Sequence, residues 1–188
     1  MQRDERAYDG QILAAALRLE SRGGRPGKLP RARAARSIST SYYALFHFLT
    51  EEAGKLVFGS GGASLRRRRI FARAFGHKGI RLAFIKIEGK AIDKSIVDFL
   101  RGDAVGVDDQ APHFAREMAR TFLLAQAKRE AADYDLNMPL GRDDARTLRR
   151  RVSQAIAEWR MATGQADRDF KRAICMLMLL NGQLRKGD

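Results

Sequence analysis

The chain has 188 residues, 36 of them Lys or Arg against 22 Asp or Glu, and its formal net charge of +14 favours polyanions, chiefly nucleic acid or an acidic protein partner. The charged start, Met1 to Arg6, and the shortness of the longest strongly apolar run, Ile174 to Leu180, argue against a secretory signal or a membrane span, so cytoplasmic residence is the expectation. Cys175 stands alone inside that apolar run, which excludes an intramolecular disulfide and predicts a buried, inert thiol.

Helical periodicity dominates, and the four prolines, at 26, 30, 112 and 139, fall at segment boundaries. A first helix is predicted from about Asp4 to Ser21, with Tyr8, Ile12, Ala15, Ala16 and Leu19 at helical spacing and Gly23-Gly24 as its stop. After a short basic loop, Gly24 to Pro30, a second helix begins near Arg31 and runs through His47 to about Lys55, where Phe58-Gly59-Ser60-Gly61-Gly62 breaks it. Ser64 is a candidate N-cap for a third helix, Leu65 to about Lys90, with Ile70, Phe71, Ala74, Phe75, Leu82, Phe84 and Ile85 as apolar positions and Gly76 and Gly79 as points of interruption. A short helix over Asp93 to Leu100 and a loop from Arg101 to Asp109 follow.

The next long helix, Pro112 to about Tyr134, turns Phe114, Met118, Thr121, Phe122 and Ala125 to the core. Gly141-Arg142-Asp143-Asp144 opens another, carried by Ala145, Leu148, Val152, Ile156 and Trp159 and ended by Gly164. A last helix, Asp167 to about Leu184, presents Phe170, Ile174, Leu177, Met178 and Leu180, a stripe that closes either the core or a dimer seam. Helices joined by short loops, with no internal repeat, predict one all-α domain over 1–188, an up-and-down helical bundle.

Charge is unevenly distributed. Five basic residues and no acid lie between Arg25 and Arg36, and nine basic residues face only Glu88 between Ser64 and Lys90. Arg66, Arg67, Arg68 and Arg69 sweep about 300° of a helix, so some must be solvated; they are candidates for phosphate binding, with a basic surface lacking any cognate ligand as the alternative.

The second helix carries two stripes. Ile38, Tyr42, Leu45 and Leu49 fall on one side, while Arg36, Thr40, Tyr43 and His47 line the other, as either a second packing surface or the wall of a polar site. The run Arg36-Ser37-Ile38-Ser39-Thr40-Ser41-Tyr42-Tyr43-Ala44-Leu45-Phe46-His47 resembles the R-x-x-S-x-x-Y-Y-A-x-F-H helix of HEPN-domain proteins. Two further pieces extend the resemblance over most of residues 4–164: Arg73-Ala-Phe-Gly-His77-Lys-Gly-Ile, and Arg129-Glu-Ala-Ala-Asp133-Tyr134-Asp135 followed by Asp144-Ala145. The resemblance implies a small α-helical bundle, commonly dimeric, with the C-terminal helix (about 167–184) as an addition. It also implies RNA or nucleotide binding, in a defence or toxin–antitoxin type system, or docking to an acidic protein such as a nucleotidyltransferase-like antitoxin.

Many HEPN proteins are metal-independent ribonucleases that use an Arg and a His with four to six residues between them. Here Arg73 and His77 have three between them, no His follows Arg129, and Asp133-Tyr134 resembles the R-x-x-A-D-Y ending of another HEPN branch. RNA cleavage needs a base, an acid and a cation for the developing phosphorane charge; His77 can titrate, and Arg73 can stabilise charge. On a continuous helix the two would lie about 40° apart and reach one phosphate. Arg73, His77, Arg129 and Asp133 are therefore the catalytic candidates, and Arg36, Tyr43, His47 and Tyr134 the candidates for a cleft or dimer seam.

Plainer roles are open for each. Arg129 and Asp133 form an ordinary i,i+4 pair, Tyr134 a partly buried ring and His47 a histidine bonded within the bundle, while His113 is a first-turn surface residue. Three His and one Cys make a poor zinc set, and no Walker loop, nucleophile elbow or dinucleotide fingerprint is present, so no metal or cofactor is expected. Binding without catalysis is the leading expectation, with a metal-independent endoribonuclease and a protein-docking module as alternatives.

Overall fold

A computed structural model describes residues 8–21, 30–88, 111–135 and 138–180. Its elements are α1 (Tyr8–Ser21), α2 (Arg31–Phe58), α3 (Leu65–Phe71), α4 (His77–Glu88), α5 (His113–Tyr134), α6 (Arg142–Met161) and α7 (Gln165–Leu179), with 3-10 turns at Gly62–Ser64 and Ala72–Ala74. The fold is an all-α helical bundle. The helix expected over 93–100, the loops at 24–29 and 101–109, and the outer ends of the first and last helices lie outside the described residues.

Local chemistry sets the boundaries. Pro30 and Pro112 stand just before α2 and α5, where a missing N–H costs nothing, and their carbonyls accept the first intrahelical bonds, from Arg33 and Ala34 and from Ala115 and Arg116. Gly59 ends α2 at φ 77°, a left-handed conformation that an L side chain resists. Two helices start alike. Gly141 N–H donates to Asp144 Oδ2 at 3.1 Å before α6, and Gly164 N–H to Asp167 Oδ2 at 3.0 Å before α7. Glycine has no side chain with which to return the bond, so each makes half of a capping box.

The third predicted helix is interrupted. α3 stops at Phe71, a 3-10 turn follows, and Phe75 is extended at φ −91°, ψ 122° before α4 begins at His77. The gain lies in an aromatic string: Phe58 meets Phe71 edge-on at 5.4 Å, Phe71 meets Phe75 at 5.2 Å, and the Phe75 ring is buried. Edge-to-face pairs contribute about 0.5–1.5 kcal/mol each beyond their burial, which offsets helical hydrogen bonds lost at the interruption.

The chain divides into two compact units, Met1–Phe48 with Leu124–Ile156, and Leu49–Leu123 with Ala157–Asp188, so α2, α5 and α6 give residues to both. In the first, Ala16, Ala34, Ile38, Tyr42, Leu45, Ala125, Leu148 and Val152 are buried. In the second, α4 lies along α7, and Phe84 packs on Phe122 at 5.3 Å while Phe114 contacts Trp159 at 5.5 Å and Phe170 at 6.5 Å. The core positions expected of α5 and α6 are all buried, and α7 is an integral part of the second core.

Five apolar positions expected inside are exposed: Tyr8, Ile70, Ala74, Ile85 and Leu180. In α1 the inward residues are Asp9, Ala16 and Glu20, because the Glu20 carboxylate is held by Arg149 and Ser37. In α3 the inward residue is Arg68.

Candidate functional site

The two stripes of α2 separate as the sequence predicts. Ile38, Tyr42, Leu45 and Leu49 are buried, Arg36 and Tyr43 are exposed, and Thr40 and His47 are half-buried. Around the outward stripe, the first unit assembles a cluster of rings and one guanidinium. Arg129 Cζ lies 5.3 Å from the centre of the Tyr42 ring and 5.0 Å from that of Tyr43, and the two tyrosines meet edge-on at 5.6 Å. Arg129 Nε is 3.3 Å from Asp133 Oδ2, and Ser39 Oγ donates to Asp133 Oδ1 at 3.3 Å.

The sequence thus located the Arg129–Asp133 pair but not its tyrosine partners. A half-exposed i,i+4 ion pair contributes about 0.3–0.5 kcal/mol, whereas a partly desolvated cation–π contact contributes about 1–2 kcal/mol. The rings therefore hold Arg129 more firmly than the carboxylate does, and Asp133 orients it. Burial pushes the Tyr42 phenol up to about 12 against the opposing pull of Arg129, so Tyr42 is neutral and structural rather than an acid.

His47 extends the cluster, 5.2 Å from Tyr8 and 5.6 Å from Phe46, both edge-on, and 6.5 Å from Tyr43. Burial lowers its pKa below 6.5, so near neutral pH it is an uncharged flat ring. Tyr134, expected to be partly buried, is instead 84% exposed, because α5 ends there and its C-terminal turn faces outward.

Arg31 fixes that end of α5. Its guanidinium donates to the carbonyls of Ala132, Asp135 and Met138, satisfying acceptors that the helix terminus leaves open. No local signal marks Arg31 for this role, because its partners lie about a hundred residues further on. Arg36 lines a separate groove between α1 and α2, together with Ala15, Arg18, Leu19, Arg33 and Thr40.

The other catalytic candidates sit in the second unit. Arg73 is exposed on the 3-10 turn, and His77 is the half-buried first residue of α4. Extended Phe75 and Gly76 separate them, so the juxtaposition expected of a continuous helix does not hold. Arg129 and Asp133 belong to the first unit and contact each other.

The arginine run divides as well. Arg66, Arg67 and Arg69 are exposed, but Arg68 is 7% exposed and donates from Nη1 to the carbonyls of Gly59, at 2.8 Å, and Gly61, at 3.0 Å. Its stem passes over Gly54, where an added Cβ would meet Arg68 Cβ at 3.1 Å. Arg68 is therefore a clamp on the turn after α2 and is withdrawn from the surface candidates for phosphate.

Cys175 is buried and burial pushes its thiol up to about 11, so it is inert as expected. Among the described residues no group of three or more His, Cys, Asp or Glu is placed to hold a metal ion, and no helix is long and apolar enough to cross a membrane. Compared with known proteins, the chain matches no family model, no curated protein and no solved structure.

Proposed function

We propose that this chain is an RNA- or nucleotide-binding, HEPN-like protein that binds without cleaving and acts in a defence or toxin–antitoxin type system. The carrying observation is the Arg129 guanidinium set 5.0 Å from the ring of Tyr43, itself 36% exposed and followed along α2 by neutral His47. An exposed aromatic face held by a cation suits an unstacked base, because every base has a π-face and the guanidinium adds attraction for phosphate. Exposed Arg66, Arg67 and Arg69 and the net charge of +14 supply long-range attraction. The HEPN resemblance adds a homodimer with the α2 stripe near its seam.

Two experiments test this. Labelled single-stranded RNA is titrated with wild type and Tyr43→Ala at low salt. Base stacking contributes about 1–3 kcal/mol, so affinity falls by roughly five- to 150-fold in the variant, compared at a temperature where both proteins are folded because the lost Arg129 contact also lowers the variant's melting temperature. Unchanged RNA affinity removes the stacking role. Incubation of the same RNA without metal, with wild type and His77→Ala, addresses the ribonuclease alternative. Its support is that Arg73 and His77 sit on neighbouring turns of one unit; cleavage by wild type that His77→Ala abolishes would overturn binding without catalysis.

A further inference from the structure

We infer that Tyr8 is a second base-stacking platform beside Tyr43, so that the first unit takes two unstacked bases of one RNA strand and discriminates against a duplex. The inference deepens the RNA-binding reading above and rests on it.

Tyr8 has no part in the core that its helical spacing predicts. It opens α1 and is 55% exposed, while Asp9, Ala16 and Glu20 turn inward in its place. A single exposed ring is ordinary on a protein surface. This one is not single. Its ring meets that of His47 edge-on at 5.2 Å, and His47 lies 6.5 Å from Tyr43, which is itself 36% exposed. The start of α1 and the outward stripe of α2 thus bring two exposed phenol rings to one imidazole.

The ring geometry limits what can rest there. Tyr8 and Tyr43 are no further apart than 5.2 Å and 6.5 Å laid end to end, which keeps both within reach of bases close together on one strand. Tyr8 stands at 78° to the His47 plane and Tyr43 at 32°, so the tyrosine planes are inclined to each other by at least the difference, about half a right angle. Bases lying on the two rings are therefore splayed apart. In a duplex neighbouring bases are stacked and paired and present no free face, whereas a single strand can turn each base out to its own ring.

Both platforms are backed by other side chains. Tyr43 has Arg129 Cζ at 5.0 Å and the Tyr42 ring at 5.6 Å, and His47, against which Tyr8 rests, has the Phe46 ring at 5.6 Å. A ring fixed before binding gives up little freedom when a base settles on it, so more of the stacking appears as affinity. An acidic peptide would answer the Arg129 cation alone. RNA answers the cation with phosphate and the inclined rings with bases.

The test uses the full chain with a short single-stranded RNA and the same RNA annealed to its complement, at a temperature where every variant is folded. Tyr8→Phe keeps the ring, and Tyr8→Leu keeps apolar bulk without a π-face. Affinity for the single strand should fall by roughly five- to 150-fold in Tyr8→Leu, stay near wild type in Tyr8→Phe, and be unchanged for the duplex in both. Two independent platforms give multiplying losses, so Tyr8→Leu should cost the same factor again when added to Tyr43→Ala. No further loss in that background would show that Tyr8 only props His47 and Tyr43, and the second platform falls. Equal losses on single strand and duplex overturn it as well. If Tyr43→Ala weakens single-strand binding and Tyr8→Leu does not, the second platform falls while RNA binding at Tyr43 stands. Failure of the wild type to bind the single strand at low salt removes RNA binding itself, and this inference with it.

Discussion

Arg149 Nε and Glu20 Oε1 lie 2.8 Å apart and join α6 to α1 within the first unit, with the Glu20 side chain only 5% exposed. A carboxylate so placed is tolerable only while Arg149 and Ser37 hold it; otherwise the unit buries an unpaired charge. Truncating one partner of such a pair typically costs about 3–5 kcal/mol, much of it from the stranded charge. Arg149→Ala is expected to lower the melting temperature by roughly 6–12 °C, whereas Arg149→Met with Glu20→Leu, which removes both charges, recovers most of the loss. Equal destabilisation by single and double variants would assign the loss to packing.

Lys171 plays a comparable part in the second unit, with no carboxylate in hydrogen-bonding reach among the described residues. Its buried amine donates to the carbonyls of Trp159, at 2.7 Å, and Ala162, at the end of α6, and lies 5.4 Å from the Phe114 ring and 5.3 Å from that of Trp159. Lys171→Met keeps most of the volume but leaves those carbonyls without their donor, a loss of about 1–3 kcal/mol. Burial also holds the amine below 10.5. Between that lowered value and 10.5 the unfolded chain binds the proton more tightly, so this residue makes wild-type stability rise with pH there. The difference between wild type and Lys171→Met should therefore widen in that window; urea melts at pH 8 and 10 measure it.

The legible parts of the fold were those in which one helix face sufficed. Phe114, Met118 and Phe122, or Leu148, Val152 and Ile156, repeat at helical spacing and face one core, so periodicity alone placed them. Phe71, Ala74 and Phe75 also fit a helical pattern, yet Phe75 leaves it to join Phe58 and Phe71, a choice made by tertiary packing. The site was legible in halves. Tyr43 and His47 showed in the α2 stripe and Arg129 with Asp133 in a motif, but nothing local joined them. The role of Arg31 at the end of α5 was invisible because a lone arginine acquires its role from what folding brings beside it.

His47 gives a pH dependence with a definite sign. The Tyr8, Tyr43 and Phe46 rings surround it, and burial puts its folded-state pKa below 6.5. As pH falls below 6.5 the unfolded chain takes up the proton first, so stability is lost until the pH is below the folded pKa as well. His47→Gln removes this proton uptake. Urea midpoints between pH 7.5 and 5 should fall less steeply in the variant, and an equal or steeper fall would show that His47 is not held neutral.

The arginine run makes opposite predictions for neighbouring residues. Arg66, Arg67 and Arg69 are exposed, so replacing all three with Gln should leave the melting temperature nearly unchanged. If they contact phosphate in single-stranded RNA, each contributes about 0.7 to the slope of log affinity against log salt, and the triple variant flattens it by about 2. Arg68 carries the turn at Gly59 and Gly61 in place of an anion. Arg68→Gln shortens the side chain away from both carbonyls and should cost about 1–3 kcal/mol of stability with the salt slope unchanged. A melting-temperature loss from the triple variant, or a flattened slope from Arg68→Gln alone, would reverse the division between them.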